Sequence, residues 1–142
     1  MTIDDIAEAL KSETAKLGFP VLMLPQAARN ISTAHIQLLY RDLAENGDGG
    51  EKLLFDAEYR TAGTHARWIS RTAQLRRRLH AVERSYMRLE ACGVKLRAYW
   101  KSRGAPGWVY SDDSDGSMPA EYVLPYTVEI DCPSHLITEE TE

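Results

Sequence analysis

The first part of the chain begins with a helical pattern of apolar positions. Apolar or small residues recur at helical spacing at Ile6, Leu10, Thr14 and Leu17. Thr2 can cap this helix, with Asp5 as its capping-box partner, and Gly18 can end it in a left-handed conformation. These positions predict a short amphipathic helix over residues 3–17.

Strand-like patterns follow this helix. Residues 19–24 form a short apolar run bounded by proline, which is typical of a buried or edge strand. Residues 34–43 and 51–62 alternate apolar with polar positions, and the glycine-rich stretch 45–50 between them tolerates positive φ. We therefore predict a β-hairpin with a long, flexible tip, after an irregular segment over residues 25–33.

The centre of the chain carries a longer helical pattern. Its positions alternate spacings of four and three at Trp68, Thr72, Leu75, Leu79, Val82, Tyr86 and Leu89. With Thr64 as its cap and Gly93 just after its end, this pattern predicts a helix over residues 65–91. The alternative is a helix that stops near Glu83, with a strand from Tyr86 to Ala91; the longer helix is favoured.

The last part of the chain returns to strand patterns. Alternation predicts strands over residues 94–100, 108–110 and 121–131, separated by a turn at 104–107 and a polar loop at 111–118. The last strand places five apolar or aromatic residues on one face: Tyr122, Leu124, Tyr126, Val128 and Ile130. Pro125 lies on its other face and indicates an edge or a bulge.

This order of elements predicts an α+β fold. We expect a mostly antiparallel sheet, with the short N-terminal helix and the long central helix packed on one face. A chain of 142 residues fits a single domain, which we place at residues 1–133. Residues 134–142 are predicted to form a flexible acidic C-terminal tail.

The charge distribution is uneven along the chain. Residues 60–103 contain twelve basic and two acidic residues, whereas the whole chain has a net charge of -4. Such asymmetry is compatible with nucleic acid, an acidic partner, a second copy of the chain, or a solvated helix face. A pI near 5.6 weakens nucleic-acid binding as the main function, since such domains are usually strongly basic.

Motifs that carry catalysis or hold cofactors do not occur in the sequence. The four histidines show no metal-ligand spacing, and no nucleophile elbow, phosphate-binding loop or dinucleotide fingerprint is present. A calcium loop aligned on Asp113, Asp115 and Gly116 has Tyr122 where the bidentate glutamate belongs. We therefore predict no enzyme activity, no cofactor and no metal. No apolar run is long enough to span a membrane, and Cys92 and Cys132 are expected to be reduced thiols.

Three features favour protein contacts over chemistry. They are the glycine-rich tip with Asn46 and Asp48, the loop aspartates, and the arginine-rich helix. Arg76, Arg77 and Arg78 cannot all face one partner on a helix, and Arg77 and Arg78 are expected to project most freely. Aromatic residues available to anchor an interface are Trp100, Trp108 and Tyr110.

The C-terminal strands carry a resemblance to a known family. The stretch Trp108-Val109-Tyr110-Ser111-Asp112-Asp113-Ser114-Asp115-Gly116, followed by Glu121 to Ile130, resembles the end of tail terminator proteins of long-tailed phages. That family has a strand, an aspartate-rich loop and a final strand with alternating aromatic and aliphatic residues. The earlier order of helix, strand, hairpin and helix is also similar. Related neck and tail-completion proteins share this architecture.

The resemblance implies a structural virion protein, assembled in the host cytoplasm and located at the head-proximal end of the tail. Such a protein forms a homohexameric ring that caps the tail tube and offers a docking surface to the head-completion or neck proteins. Its partners would be its own copies, the tail tube, a sheath protein where one exists, and DNA only as it passes through the lumen. The expected contact residues are Arg67, Arg71, Arg76, Arg77, Arg78, Asn46, Asp48, Asp112, Asp113 and Asp115. The alternatives are another neck, tail-completion or baseplate component, or a nucleic-acid-binding module that uses Arg67, Arg71, Arg78, Lys95 and Arg97.

Overall fold

The chain folds mainly as β-structure around one curled sheet. The computed structural model describes residues 1–25, 33–47, 49–110 and 119–138. About 46% of the described residues are in strands and 26% are in helices, and the sheet forms a half-barrel. The elements are α1 (Ile3–Ala15), β1 (Val21–Met23), β2 (His35–Glu45), β3 (Glu51–Thr61), α2 (Trp68–Glu83), β4 (Met87–Ala91), β5 (Val94–Ser102), β6 (Gly107–Tyr110) and β7 (Pro119–Cys132), with a 3₁₀ turn at Ser134–Leu136.

The predicted α+β class with a long central helix on one face is wrong. Helix α2 ends at Glu83, and the rest of the predicted helix forms strand β4. Leu89 fits both the helical spacing and the alternation of a strand, so the pattern wrongly extended the predicted helix over β4. In the structure Met87, Leu89 and Ala91 are buried and the residues between them are exposed. The alternative that ended the helix near Glu83 is confirmed.

Gly93, which the helical pattern predicted to follow the end of a helix, belongs to a hairpin turn. Cys92 and Gly93 have φ angles of 50° and 77°, and they join β4 to β5 as a two-residue loop. Two consecutive positive φ angles are the requirement of the tight hairpin turn whose twist matches that of its strands. Gly93 therefore ends no helix.

Strand β7 is central to the sheet. The strand order is β1-β2-β3-β7-β5-β4, with β6 also paired to β7, and β1 and β2 are parallel while the other pairs are antiparallel. On one side β7 pairs with β3 along its length; on the other it pairs first with β6 and then with β5. Pro125 lies where β5 gives way to β6, and its carbonyl accepts a hydrogen bond from the Arg103 amide at 3.1 Å. Because Pro125 pairs with Glu58 in unbroken register within a central strand, neither the edge nor the bulge expected at Pro125 is found there.

Both helices cover the inner face of the sheet. Helix α1 contacts β1 and β4, which are the two edge strands, so it spans the opening of the half-barrel. Helix α2 lies over β5 and is tied to β3 by a 3.0 Å hydrogen bond between the Tyr59 and Thr72 hydroxyls. One apolar cluster of buried residues extends from Ile6 to Cys132.

The ends of the chain meet each other. The capping box is present: the Thr2 hydroxyl accepts from the Asp5 amide and the Asp5 carboxylate accepts from the Thr2 amide. The Thr138 amide donates to the Met1 carbonyl at 2.6 Å, and Ile137 packs against the core. The described part of the predicted tail is therefore docked, and residues 139–142 lie outside the described residues.

Candidate assembly surfaces

The outward side of α2 is an arginine surface. Thr72, Leu75 and Leu79 turn inward and are buried, so the residues between them point to solvent. The exposed arginines on this helix and its ends are Arg67, Arg71, Arg77, Arg78 and Arg84. We call these five residues the arginine face. Ion pairs between the described residues lie within α1 or on the outer face of the sheet, and none of them includes an arginine of this face.

The predicted arginines differ in how firmly they are held. The Arg78 guanidinium donates to the Leu17 carbonyl at 2.5 Å, and that of Arg71 lies 4.9 Å from the Phe19 ring centre. Arg67 precedes the helix with a φ of 57°. Arg77 and Arg84 are exposed without a comparable side-chain contact to the described residues. Of the two arginines expected to project most freely, Arg77 does so, whereas Arg78 is held by Leu17.

Arg76 belongs to a different surface. It is half-buried, donates to the Tyr126 hydroxyl and lies over the Tyr126 ring at 5.3 Å. Burial raises the pKa of Tyr126 to about 12, and the nearby Arg76 charge opposes that increase only in part. Arg76 therefore contacts a tyrosine that burial keeps neutral, and it lies outside the arginine face.

A groove beside Arg76 was not predicted from the sequence. It lies between α2 and the β6–β7 region, has a volume of about 380 Å³, and is walled mainly by Trp68, Ile69, Tyr122 and Leu124. The Trp68, Trp108 and Tyr122 rings pack against one another at centroid distances of 5.1 to 5.5 Å. We call this the α2 groove. Arg76 is the charged residue among those that line it.

The predicted aromatic anchors are divided between core and surface. Trp100 is buried and packs edge-on against Tyr126, so it is a core residue. Trp108 is partly exposed and supports the α2 groove through its contact with Trp68. The side chain of Tyr110 lies outside the described residues.

The hairpin tip forms an acidic end of the sheet. The Asn46 amide donates to the Gly50 carbonyl at 2.8 Å, and the Asn46 carbonyl accepts from the Gly49 amide at 3.2 Å. Glu45 and Glu51 oppose each other in the hairpin, and Asp131 lies next to Cys132, the partner of Glu51. Like charges directly opposite each other disfavour a strand pair, so this end would gain from a basic partner. Asp48, Asp112, Asp113 and Asp115 lie outside the described residues.

The outer face of the sheet carries a network of paired charges. Arg103 lies 2.9 Å from Glu58 and 3.6 Å from Asp56, while Arg41 pairs with Asp56 and Arg60 with Glu58 and Glu121. Partial burial would raise the pKa of Glu58, but hydrogen bonds and charges from Arg60 and then Arg103 outweigh it and hold that pKa below its ordinary value. The sequence indicates this network only through the charged residues at alternate positions of β3, Asp56, Glu58 and Arg60. Which charges pair with them depends on the register of the neighbouring strands.

The residues of the alternative nucleic-acid surface do not share one side of the molecule. Arg67, Arg71 and Arg78 lie at or on α2, which covers the inner face. Lys95 and Arg97 are exposed on β5 and alternate with buried Leu96, so they lie on the outer face. A continuous phosphate-binding surface would have to use the arginine face alone.

In the described ranges, no group of three or more histidine, cysteine, aspartate or glutamate side chains is placed to hold a metal ion. The calcium alternative on Asp113, Asp115 and Gly116 falls outside those ranges. No helix found in the described ranges is long and apolar enough to cross a membrane.

Comparison with known proteins supports the fold but supplies no function. No protein-family model matches the chain. No curated protein matches it either. One solved structure, of a protein that is named without a function, is similar to the chain over 100% of its length and 99% of that chain. The TM-score is 0.51 at 15% sequence identity, so the likeness is one of fold alone, and the family to which the chain belongs stays a prediction.

Proposed function

We propose that this chain is a tail terminator of a long-tailed phage. In this role it is a structural rather than a catalytic protein, located in the virion at the head-proximal end of the tail. Copies of the chain form a homohexameric ring that caps the tail tube and provides the docking surface for the head. The neck and tube proteins would be its further partners.

The observation that carries this proposal is the unlike charge of two surfaces of one protomer. The arginine face of α2 is basic and lacks ion pairs among the described residues. The hairpin tip places Glu45 directly opposite Glu51 at one end of the sheet. Head-to-tail contacts join two different surfaces and close into rings, whereas a two-fold dimer needs one self-complementary surface.

Support also comes from the segment that carries the resemblance. Strands β6 and β7 are antiparallel neighbours, the aspartate-containing residues 111–118 lie between them in the sequence, and β7 alternates its residues as in the family pattern. Tyr126, Val128 and Ile130 are buried on its inner face. The order of strand, loop and central strand in the resemblance is thus compatible with the fold.

Light scattering behind a sizing column tests the ring. We expect six copies of the 16.0 kDa chain, about 96 kDa in all, and particles with a central hole in electron micrographs. The variant Arg77→Glu/Arg84→Glu reverses two exposed charges on the arginine face and is expected to lower the mass toward the monomer. The matched control, Arg88→Glu/Lys95→Glu, makes the same charge change on the outer face and is expected to keep the ring. A wild-type protein that stays at 16 kDa when concentrated contradicts the proposal.

Nucleic-acid binding is the second candidate, because the arginine face has no acidic partner in the described part of the chain. Phosphate contacts would lose affinity for duplex DNA steeply as salt rises, by about one log unit per log of salt for each contact. The same Arg77→Glu/Arg84→Glu variant would then lose the gel shift while the mass stayed that of a monomer. No shift at low salt excludes this candidate.

A further inference from the structure

Strand β4 forms one edge of the sheet and leaves backbone groups unpaired. Among the described residues it pairs with β5 alone. The two-residue turn at 92–93 makes Ala91 and Val94 a hydrogen-bonded pair, and such pairs alternate with unbonded ones along an antiparallel ladder. The amide and carbonyl groups of Arg88 and Glu90 therefore point away from β5, toward the open edge.

A groove gives access to this edge. It runs between β4 and α1, has a volume of about 580 Å³, and is bounded by residues 88–92 of the strand and its turn. Its α1 wall includes the exposed residues Glu8, Ser12 and Lys16. Proteins commonly close a free edge with a proline or a bulge, but β4 contains neither. The edge is therefore open to one further strand.

The outward side chains of β4 carry opposite charges. Arg88 and Glu90 are exposed and alternate with the buried residues of the strand. On β5, Glu90 lies opposite Lys95, whereas Arg88 lies opposite Arg97, a like-charge arrangement that disfavours the pair. None of the ion pairs between described residues includes Arg88. Its guanidinium is hydrogen-bonded to the phenol of Tyr86, and that contact lowers the pKa of the tyrosine. Arg88 would therefore gain from a carboxylate on its open side.

We infer that β4 of one copy pairs with β4 of a second copy, antiparallel about a two-fold axis at Leu89. In this register Arg88 of each copy lies directly opposite Glu90 of the other, and both side chains lie on the outer face. Each Arg88–Glu90 pair is a hydrogen-bonded pair, so its residues exchange both backbone hydrogen bonds. The neighbouring registers that also match the backbone groups place Arg88 opposite Arg88 or Glu90 opposite Glu90, which like charge disfavours. The charges thus select one register.

This contact goes beyond the proposed ring and does not rest on it. A ring uses unlike surfaces, whereas a two-fold contact needs one self-complementary surface, which β4 provides. The contact can join two protomers or two rings. One short strand from each copy buries less than the roughly 1,200 Å² of a stable complex, so we expect association in concentrated protein only.

Disulfide formation between two different variants tests the register. Arg88→Cys and Glu90→Cys are each made in a Cys92→Ser background, so that each protein has one exposed thiol; Cys132 is buried. Opposite residues of a hydrogen-bonded pair have Cα atoms about 5.5 Å apart, within the range of a disulfide, whereas diagonal neighbours are about 7–8 Å apart. After mild oxidation we expect a covalent dimer from the concentrated mixture and little from either variant alone. The mixed dimer also keeps the second Arg88–Glu90 pair.

The outcomes distinguish this contact from the ring. A mixture that yields no more dimer than the separate variants overturns the contact, since random collisions link all three samples alike. Dimers from Arg88→Cys alone also overturn it, because they require a register with like charges opposite each other. Light scattering of the same samples reports the ring separately. Crosslinking of a monomeric protein supports this contact and contradicts the ring, and a ring of about 96 kDa without crosslinks does the reverse.

An exchange of charges provides a second readout. Arg88→Glu places acidic residues opposite each other on both sides of the axis and is expected to abolish the association, as measured by sedimentation equilibrium over a series of protein concentrations. Arg88→Glu/Glu90→Arg restores two opposite-charge pairs and is expected to associate as the wild type does. Both positions are exposed, so the fold should be kept. A double variant as dissociated as Arg88→Glu, or an Arg88→Glu protein that associates normally, contradicts the inference.

Discussion

The guanidinium of Arg103 lies 2.9 Å from the Glu58 carboxylate, on the outer face of the sheet. Its Nε atom is also 3.6 Å from Oδ1 of Asp56, whose side chain is mostly buried. Nε of Arg103 and Oδ1 of Asp56 are both buried without a hydrogen-bond partner. Their opposite charges, 3.6 Å apart, therefore offset part of the cost of burying each other. Arg103 thus joins two outward positions of β3, Asp56 and Glu58, to the turn between β5 and β6.

Removing the charge of Arg103 should destabilise the fold. Arg103→Met keeps most of the side-chain length but leaves Asp56 and Glu58 with fewer partners. Unpaired carboxylates that are partly buried typically cost about 1–3 kcal/mol in the free energy of unfolding. The change should be read from urea denaturation at neutral pH.

Lys101→Met provides the comparison for Arg103→Met. Lys101 pairs with Glu129 at 3.0 Å, but its side chain is 62% exposed, and such surface pairs contribute about 0–1 kcal/mol. Equal urea midpoints for the two variants would show that the Arg103 network is no more important than an ordinary surface pair.

Gly18 is predicted to resist substitution. Its φ of 100° lies in the region that L-residues rarely adopt, and an added Cβ would stand 3.2 Å from Nη1 of Arg78, which donates to Leu17. Gly18→Ala should therefore lower the free energy of unfolding by more than about 1 kcal/mol. Gly47→Ala, where an added Cβ meets nothing within 4 Å and no positive φ is required, should be nearly neutral. A thermal melt of both variants measures the difference, and equal melting temperatures would contradict the expectation.

The strands after β4 can be predicted from the alternation of apolar and polar residues. The candidate surfaces, such as the α2 groove, depend on contacts between distant parts of the chain, which this alternation does not reveal. Val94 to Trp100 and Glu121 to Asp131 were found because one face of each strand is buried against the helices. The helix predicted around Leu89 was wrong because Leu89 fits both the helical period and the strand period, so the pattern does not distinguish the two structures. The α2 groove needed the closeness of Trp68 to Tyr122, which lie far apart in the sequence. Long-range pairing and register set that distance, and a single sequence does not reveal them.

Cys92 occupies a position that suits asparagine or glycine better. Its φ of 50° in the β4–β5 turn disfavours most side chains, and its exposed thiol donates one weak hydrogen bond, at 3.5 Å, to the Asp5 carboxylate. Cys92→Asn creates the Asn-Gly pair preferred in this turn and should stabilise the fold by about 0.5–1 kcal/mol. Cys92→Val, which is β-branched, should destabilise it. Urea midpoints that rank valine at or above asparagine would contradict this reading of the turn.

Tyr126 should make the protein sensitive to high pH. Burial raises its folded pKa to about 12, from an ordinary value of 10.0. A raised folded pKa means that the stabilising contribution is complete below pH 10 and is lost as pH rises toward 12, because the unfolded chain releases the proton first. Two pKa units correspond to about 2–3 kcal/mol over that window.

The test of this pH dependence compares Tyr126→Phe with its parent. Burial also raises the pKa of the Cys132 thiol, to about 11, so both proteins should carry Cys132→Ala to remove that contribution. The phenylalanine variant loses the hydrogen bond from Arg76 and is expected to be less stable at neutral pH. Between pH 10 and 12, however, its free energy of unfolding should fall less steeply than that of the parent, as measured by urea denaturation. Parallel slopes would mean that Tyr126 ionises as readily in the folded protein as in the unfolded chain, and that burial does not hold it neutral.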